Sequence, residues 1–480
     1  MVILPVLLPV LAACGYAVLG WGKVTAWLGA IAAAGVLGAS TALAVTTLDG
    51  PRMAIWGLLR ADALSAFMLI VIGAVALLAM LASPAYLTAG HAGPRATRRY
   101  GVLTQGFVAA MALAVLASNI GVMWVAIEAT TILTAFLVGF RKTKQATEAA
   151  WKYVVICSVG IALALLGIVL VHYAALHAGV PSAAGLDWAA LSRHAASLDP
   201  EVMRIAAVLL VLGFGTKAGL APMHAWLPDA HSQAPAPVSA LMSGVLLSVA
   251  FYAILRVKLI ADAALGSTSM RVLLVVAALA SLAVAAALLL AQRDYKRLLA
   301  YSSIEHMGLV ALGAAIGSRL ALAAVLLHIL GHGLGKSVLF LSSGHLHQAT
   351  GSSRIDAVRG LASRAPLLAG IFALGLLALL GIPPFSLFAS EIGIVRAAFT
   401  ADLGWAIALA LVLMLVIVAA VGRHGRRMLL GPPSGAQVAL PRTSGVVLVI
   451  GLAACAVLGV AVGPLNSLLQ AAAVIAGAIP

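Results

Sequence analysis

The residues of this chain that could do chemistry are few, and they are ionisable groups set inside apolar runs. Glu128 lies in Trp124-Val125-Ala126-Ile127-Glu128-Ala129-Thr130-Thr131, and Lys217 lies in a run interrupted by Gly213, Gly215, Gly219 and Pro222. Burial favours the neutral form of a lysine, and a nearby carboxylate restores the charged form. A pair that closes and opens would therefore take up and release a proton near neutral pH. The sequence offers no other close group to neutralise either residue, so Glu128 is paired with Lys217; a static structural ion pair is the alternative. His328, His332 and Lys336 recur at every fourth position. On a helix, at about 100° per residue, they share one face about 80° wide. Imidazole titrates near neutrality, so the stripe reads as a proton relay, with a structural polar seam as the alternative. A His-x-x-x-His pair on a helix can also hold zinc, but here no Glu follows the first His and a lysine one turn away opposes a divalent ion.

Four further groups join the candidates. Glu391 follows the break at Pro383-Pro384 and is read as holding the place that Lys217 holds at the other break, with opposite sign. Glu305 and His306 lie about eight residues into an apolar run, about 12 Å deep at about 1.5 Å per residue. His224, just after Pro222, is a candidate member of the relay, and His231 is read as a backbone partner at the same break.

These groups need a membrane around them to mean anything. The chain has 480 residues, 63% hydrophobic and only 9% charged, against about 25% charged in a soluble domain. A helical span takes about 20 apolar residues, and the sequence divides into about fourteen such stretches. A charge at mid-bilayer costs about 2.5–3.5 kcal/mol on insertion scales, so each buried one is a functional candidate. The predicted spans are 2–20, 24–47, 62–83, 101–118, 120–139, 153–174, 204–226, 235–258, 269–290, 298–316, 320–344, 364–399, 404–422 and 444–463. The seventh and twelfth carry Gly and Pro in their interiors, which break a helix. Matched broken helices in two halves mark an inverted-repeat transporter. The expected fold is thus all-α and polytopic, with two inverted five-helix repeats. The expected divisions are 1–100 (three N-terminal spans), 101–260 (first repeat), 261–425 (second repeat) and 426–480 (a loop and the last span).

The net charge of +15 would suit a nucleic-acid binder, but the basic residues sit in short loops, as membrane topology requires. The odd-numbered loops carry Arg95, Arg98 and Arg99, then Arg141, Lys142, Lys144 and Lys152, then Arg293, Lys296 and Arg297, and later Arg423, Arg426 and Arg427. The even-numbered loops hold fewer than half as many. The positive-inside rule puts the odd loops in the cytoplasm and both termini outside. Residues 175–203, the longest loop, then lie on the outer surface. Leu11-Ala12-Ala13-Cys14-Gly15 is similar to a lipoprotein cleavage box, but no Lys or Arg precedes Lys23, so 2–20 is read as the first span. Cys14, Cys157 and Cys455 are far apart, with no Cys-x-x-Cys. Zinc-ribbon, iron–sulfur and nickel–thiolate sites are therefore not expected in this chain, and redox chemistry would belong to a partner.

Three stretches resemble a known family. They are the run from Gly215-Thr216-Lys217 through Pro222-Met223-His224 to Pro235, Asp294-Tyr295-Lys296-Arg297-Leu298-Leu299-Ala300-Tyr301-Ser302-Ser303, and His328-x-x-x-His332-x-x-x-Lys336-Ser337-Val338-Leu339-Phe340. In order and spacing they resemble the antiporter-like subunits of complex I and Mrp-type antiporters, across about residues 60–425. The segments around Glu128 and Ser302-Ser303-Ile304-Glu305-His306-Met307-Gly308 are most similar to hydrogenase-4 component F of group 4 [NiFe] hydrogenase and formate hydrogenlyase-type complexes. The resemblance implies a fourteen-helix fold and roles for Glu128 and Lys217 as the charged pair, His328, His332 and Lys336 as the central relay, and Glu391 as the terminal charged residue. It implies a proton-translocating subunit of the inner membrane with no cofactor of its own. Its partners would be other membrane subunits and a peripheral [NiFe]/iron–sulfur arm. One position departs: where several members carry an eighth-helix lysine, this chain has Ser248. Glu305 and His306 are expected to supply part of the missing link between Lys217 and the histidine stripe. The rivals are a cation/proton antiporter subunit without redox drive and a non-conducting membrane scaffold.

Overall fold

In hydrocarbon a backbone must satisfy its own polar groups, and helices do so within one segment. The computed structural model describes residues 1–432 and 440–478. It opens with α1 (Leu4–Leu19), α2 (Leu28–Thr46), α3 (Ala63–Ala89), α4 (Pro94–Leu116), α5 (Ile120–Val138) and α6 (Lys144–His177). Short polar residues start many of the helices, accepting from first-turn amides: Asp62 caps α3, Asn119 α5 and Thr143 α6. Among the described residues, eleven helices are long and apolar enough to cross a membrane. The protein is a multi-pass membrane protein.

Between α2 and α3 the otherwise helical chain carries one short hairpin. Strands β1 (Arg52–Ala54) and β2 (Leu59–Ala61) form an antiparallel hairpin that pairs Arg52 with Ala61. The loop at 175–203 also carries structure. Its short α7 (Trp188–His194) is tied to the ends of α4 and α5, where Trp188 Nε1 donates to the Ala117 carbonyl at 3.0 Å and Ile120 N to the Leu186 carbonyl at 2.9 Å.

The seventh span is broken, as its Gly and Pro residues require. It consists of α8 (Pro200–Ala218), an irregular link, and α9 (Trp226–Gln233). Gly219 ends α8 with φ +77°, the left-handed region that suits glycine. The backbone groups freed by the break find partners: Trp226 Nε1 donates to the Thr216 carbonyl at 2.8 Å, and the Ala221 amide to Ser281 Oγ at 2.9 Å. The eighth span runs as α10 (Ala236–Leu241), a π-helical turn at Met242–Leu246, and α11 (Leu247–Leu265).

The second half follows with α12 (Ser267–Leu290), α13 (Tyr295–Ile316) and α14 (Arg319–Thr350), then a four-residue helix, α15 (Leu361–Arg364). The twelfth span is broken too, into α16 (Pro366–Leu379) and α17 (Ser386–Thr400), with Gly381 at φ +60° in the link. Helices α18 (Gly404–Leu429), α19 (Arg442–Val460) and α20 (Gly463–Ile475) complete the chain. The sequence reading has no separate helix at α20. Two elements form the buried centre: the most apolar windows of α14 and of Ala236–Leu265 are wholly buried. They meet backbone to backbone at Gly244 and Gly333, where a Cβ on Gly244 would stand 3.0 Å from the Gly333 carbonyl. Larger residues there would push apart the two helices that hold the polar core.

Candidate functional site

The polar groups of the centre fall into two clusters. The first surrounds Lys217, near the end of α8 and fully buried. Its ammonium donates to the Tyr153 hydroxyl at 2.5 Å and stands 4.8 Å from that ring's centroid. Glu128, half-buried on α5, accepts from Thr131 Oγ1 at 3.0 Å. Among the described residues no ion pair joins Glu128 to Lys217, although the two are near enough to act on each other through space. The expected direct pair is thus replaced by a short chain of partners. Tyr153 is held by an edge-on contact with Trp226, ring centroids 5.0 Å apart, so the α9 side of the break positions the phenol. No sequence motif pointed to Tyr153; its one signal is a lone hydroxyl in an apolar run directly after Lys152.

The second cluster lies where α13, α14 and α17 meet. His328, His332 and Lys336 do share one buried face of α14. His328 Nε2 is 3.1 Å from His306 Nδ1, and His328 Nδ1 is 3.0 Å from Ser390 Oγ on α17. The His306 ring also faces His332, with centroids 5.0 Å apart. Lys336 donates to the Leu299 carbonyl at 2.6 Å and to Ser302 Oγ at 2.5 Å. Glu305 is buried within electrostatic reach of both Glu391 and Lys336.

The structure places Glu305 and His306 beside Lys336 and Glu391: Glu305 is within electrostatic reach of both, and His306 bonds His328. Ser248 is buried with no hydrogen-bond partner. The same span contributes a pair of contacting hydroxyls: Ser243, in the π-helical turn, lies 2.8 Å from Ser303, next to the Ser302 that holds Lys336. Such π-turns recur at functional sites. Glu391 is misplaced by the repeat analogy. Lys217 comes before its break, at the end of α8, whereas Glu391 comes after its own, inside α17.

Among the described residues the histidines near the first break make no hydrogen bond to these groups, although His231 lies within electrostatic reach of Lys336 and His332. His224 lies in the link with Nδ1 unpartnered, and among the described residues it makes no hydrogen bond to the other candidates. His231, expected to bind backbone, has neither ring nitrogen hydrogen-bonded; it stacks on Phe340 with centroids 4.9 Å apart. The backbone at that point is held by Lys296, which donates to the carbonyls of Ser232 at 3.1 Å and Ala234 at 3.0 Å. Asp229 of α9 bonds Lys152 at 3.1 Å and also Arg297. The basic residues at the start of α13 therefore clamp the end of the first broken helix, joining the two halves of the chain.

The second cluster is dense enough to consider a metal. One ligand atom each from His306, His328 and Glu391 lie within 4.8 Å of one another. In the conformation seen, His306 and His328 are hydrogen-bonded to each other, an arrangement suited to passing a proton.

The family is visible at three levels. The transmembrane family described as NADH:quinone oxidoreductase/Mrp antiporter matches residues 117–417. The hydrogenase-4 component F homolog of Methylacidiphilum infernorum is 42% identical over 310 residues, which are 65% of this chain and 65% of that protein. The matches span about half to 65% of the length of the first curated relatives. Among solved structures, a chain of the archaeal membrane-bound sulfane sulfur reductase superposes with a TM-score of 0.90 at 25% identity, covering 99% of this chain and 98% of its own. A chain of respiratory complex I from Thermus thermophilus gives 0.85 at 26% identity, with 99% of both chains covered. With broken helices, a central polar seam and matched residues over more than half its length, this chain belongs to the NADH:quinone oxidoreductase/Mrp antiporter transmembrane family.

Proposed function

We propose that the protein is a proton-translocating membrane subunit of a redox-driven, hydrogenase- or complex I-like assembly in the bacterial inner membrane. The observation that carries this reading is the cluster of titratable groups in which His306 contacts both His332 and His328, with Lys336 one turn further along the buried face of α14 and a Glu391 oxygen within 4.8 Å of His306 and His328. A stability-driven core would hold apolar groups there, since each buried ionisable group costs free energy. Lys217 with Tyr153 and Glu128 forms a second station. Histidine suits a shuttle because small changes in its surroundings move it across neutral pH. Electron transfer in partner subunits supplies the drive, about 2.3 kcal/mol being needed per charge moved against 100 mV. The nickel and iron–sulfur centres, the odd loops facing the cytoplasm and the outward termini belong to the same reading.

The test is Lys217→Met in the assembled complex, with proton uptake into vesicles driven by the parent reaction. Assembly is expected to persist while uptake falls at least about tenfold, a change of about 1.4 kcal/mol. Unchanged uptake in an assembled complex would leave the scaffold reading standing. Uptake that persists without electron flow, on an imposed cation gradient, would favour the antiporter reading.

A further inference from the structure

At the face that carries the Arg- and Lys-rich loops, three cations line one cavity away from both polar clusters. The cavity, of about 590 Å³, lies between the start of α4 and the turn joining α5 to α6, and is lined by Arg95, Arg99 and Lys142 with Pro94 and Phe140. All three basic side chains are exposed. None of them takes part in an ion pair among the described residues, and no carboxylate lines the cavity. The nearest acid along the chain, Glu148, is engaged with Lys152 at 2.7 Å.

Arg99 is held in place, and the Lys142 backbone is strained. The Arg99 guanidinium lies over the Phe136 ring, 5.1 Å from its centroid, which limits the positions its head can take. Lys142 has φ +54°, in the left-handed region. Glycine adopts that conformation freely and a lysine does so at a cost, which points from the strained residue to a use for its side chain. The first turn of α4 contains no acidic residue to offset the local positive potential.

Below the cations the surface turns apolar. Phe136, Ile132 and Val125 project outward from one face of α5, at 49%, 55% and 57% exposure. Their spacing of four and seven residues keeps them in line down the helix. A cationic mouth at the membrane boundary above a greasy track has the shape of a phospholipid: anionic headgroup above, acyl chain below. A soluble anion would use the mouth and gain nothing from the track. Basic pockets between transmembrane helices on the cytoplasmic side bind anionic headgroups in this way.

We propose that Arg95, Arg99 and Lys142 form a binding site for one anionic phospholipid, with its phosphate between the three cations and an acyl chain along Phe136, Ile132 and Val125. The site sits beside the turn that leads into α6, the helix that carries Tyr153. A lipid there would brace the helix that positions the Lys217 partner.

The experiment is native mass spectrometry of the purified complex, titrated with phosphatidylglycerol, cardiolipin or phosphatidylcholine of matched chain length. The expected result is retention of one anionic lipid, with affinity about fivefold lower for each cation removed, reaching about a hundredfold in Arg95→Gln/Arg99→Gln/Lys142→Gln. Lys142→Gln alone, in an exposed turn, guards against misfolding of the triple variant and should show the single step. Equal retention of phosphatidylcholine and phosphatidylglycerol would overturn the proposal, as would an unchanged affinity in a folded triple variant. Displacement of the lipid by millimolar inorganic phosphate to the same extent in wild type and in Ile132→Ser would overturn the acyl track.

Discussion

Lys217 and Tyr153 form a 2.5 Å hydrogen bond at the end of a broken helix, and Glu128, the acid expected to hold the lysine, bonds Thr131 instead. The lysine therefore rests on a neutral partner, with the carboxylate at one remove. A charged amine held this way is easier to discharge than one locked in an ion pair, because only one hydrogen bond and no direct charge contact must be broken. The arrangement suits a station that is emptied and refilled.

Tyr153→Phe is accordingly expected to slow proton uptake about tenfold in an assembled complex. Loss of the hydroxyl leaves a buried donor unmatched, which costs about 1–3 kcal/mol. Proton flux in vesicles, compared with Glu128→Gln, separates the two partners. A large loss in Glu128→Gln with none in Tyr153→Phe would return the lysine to its carboxylate.

Glu305→Gln keeps the shape of the side chain and removes its titration. Placed within electrostatic reach of Lys336 and Glu391, it is expected to lower flux with normal assembly, and Glu305→Gln/His306→Gln to lower it further. Normal flux in both variants would show that the pair only fixes packing. Metal analysis of the same preparations checks the other possibility at His306, His328 and Glu391: zinc that is stoichiometric in wild type and lost in His328→Gln would replace the relay with a metal site.

Stability should hinge on a different pair. Asp62 and Arg256, both buried, bond at 2.7 Å, and the guanidinium also reaches Ser65 Oγ at 3.0 Å and the Tyr252 hydroxyl at 2.9 Å. Breaking a buried pair by removing one partner costs about 3–5 kcal/mol, because the other charge is left uncompensated. Arg256→Met should therefore lower the unfolding temperature clearly, and Asp62→Asn/Arg256→Met should recover part of the loss while keeping the α3 cap. Thermal unfolding in detergent measures both, and a cost below about 1 kcal/mol for Arg256→Met would remove the pair from the stabilising set.

The basic loops lie on one face of the molecule. Arg141 contacts His347 at 2.9 Å, Arg423 the Leu290 carbonyl at 3.0 Å, and Arg427 Asp356 at 2.9 Å. The proposed topology puts this face in the cytoplasm and both termini outside. The segment 423–443 is only partly covered, because 433–439 lie outside the described residues. A cysteine introduced at Thr147 should react with an impermeant reagent from the cytoplasmic side only; labelling from the periplasmic side would reverse the orientation.

The amino-acid sequence alone determined the membrane class, most helix positions, both helix breaks and the shared face of His328, His332 and Lys336. These are local properties: apolar run length, glycine and proline in a span, and a repeat of four are all read along one strand of chain. It missed the hairpin at Arg52–Ala61 and the helix Gly463–Ile475, which are too short to register against about 20-residue spans. Only the tertiary structure decided who meets whom. Tyr153 is an ordinary member of an apolar run until α6 is turned toward α8. Glu305 and His306 are equally deep on either side of α13, and only the packing of α13 against α14 and α17 brings them beside Lys336, His328 and Glu391. Depth and periodicity fix a residue's height and its face on its own helix. The rotation of that helix against its neighbours is set by side-chain and backbone packing, as at Gly244 and Gly333, and that packing is shared among segments far apart in the chain.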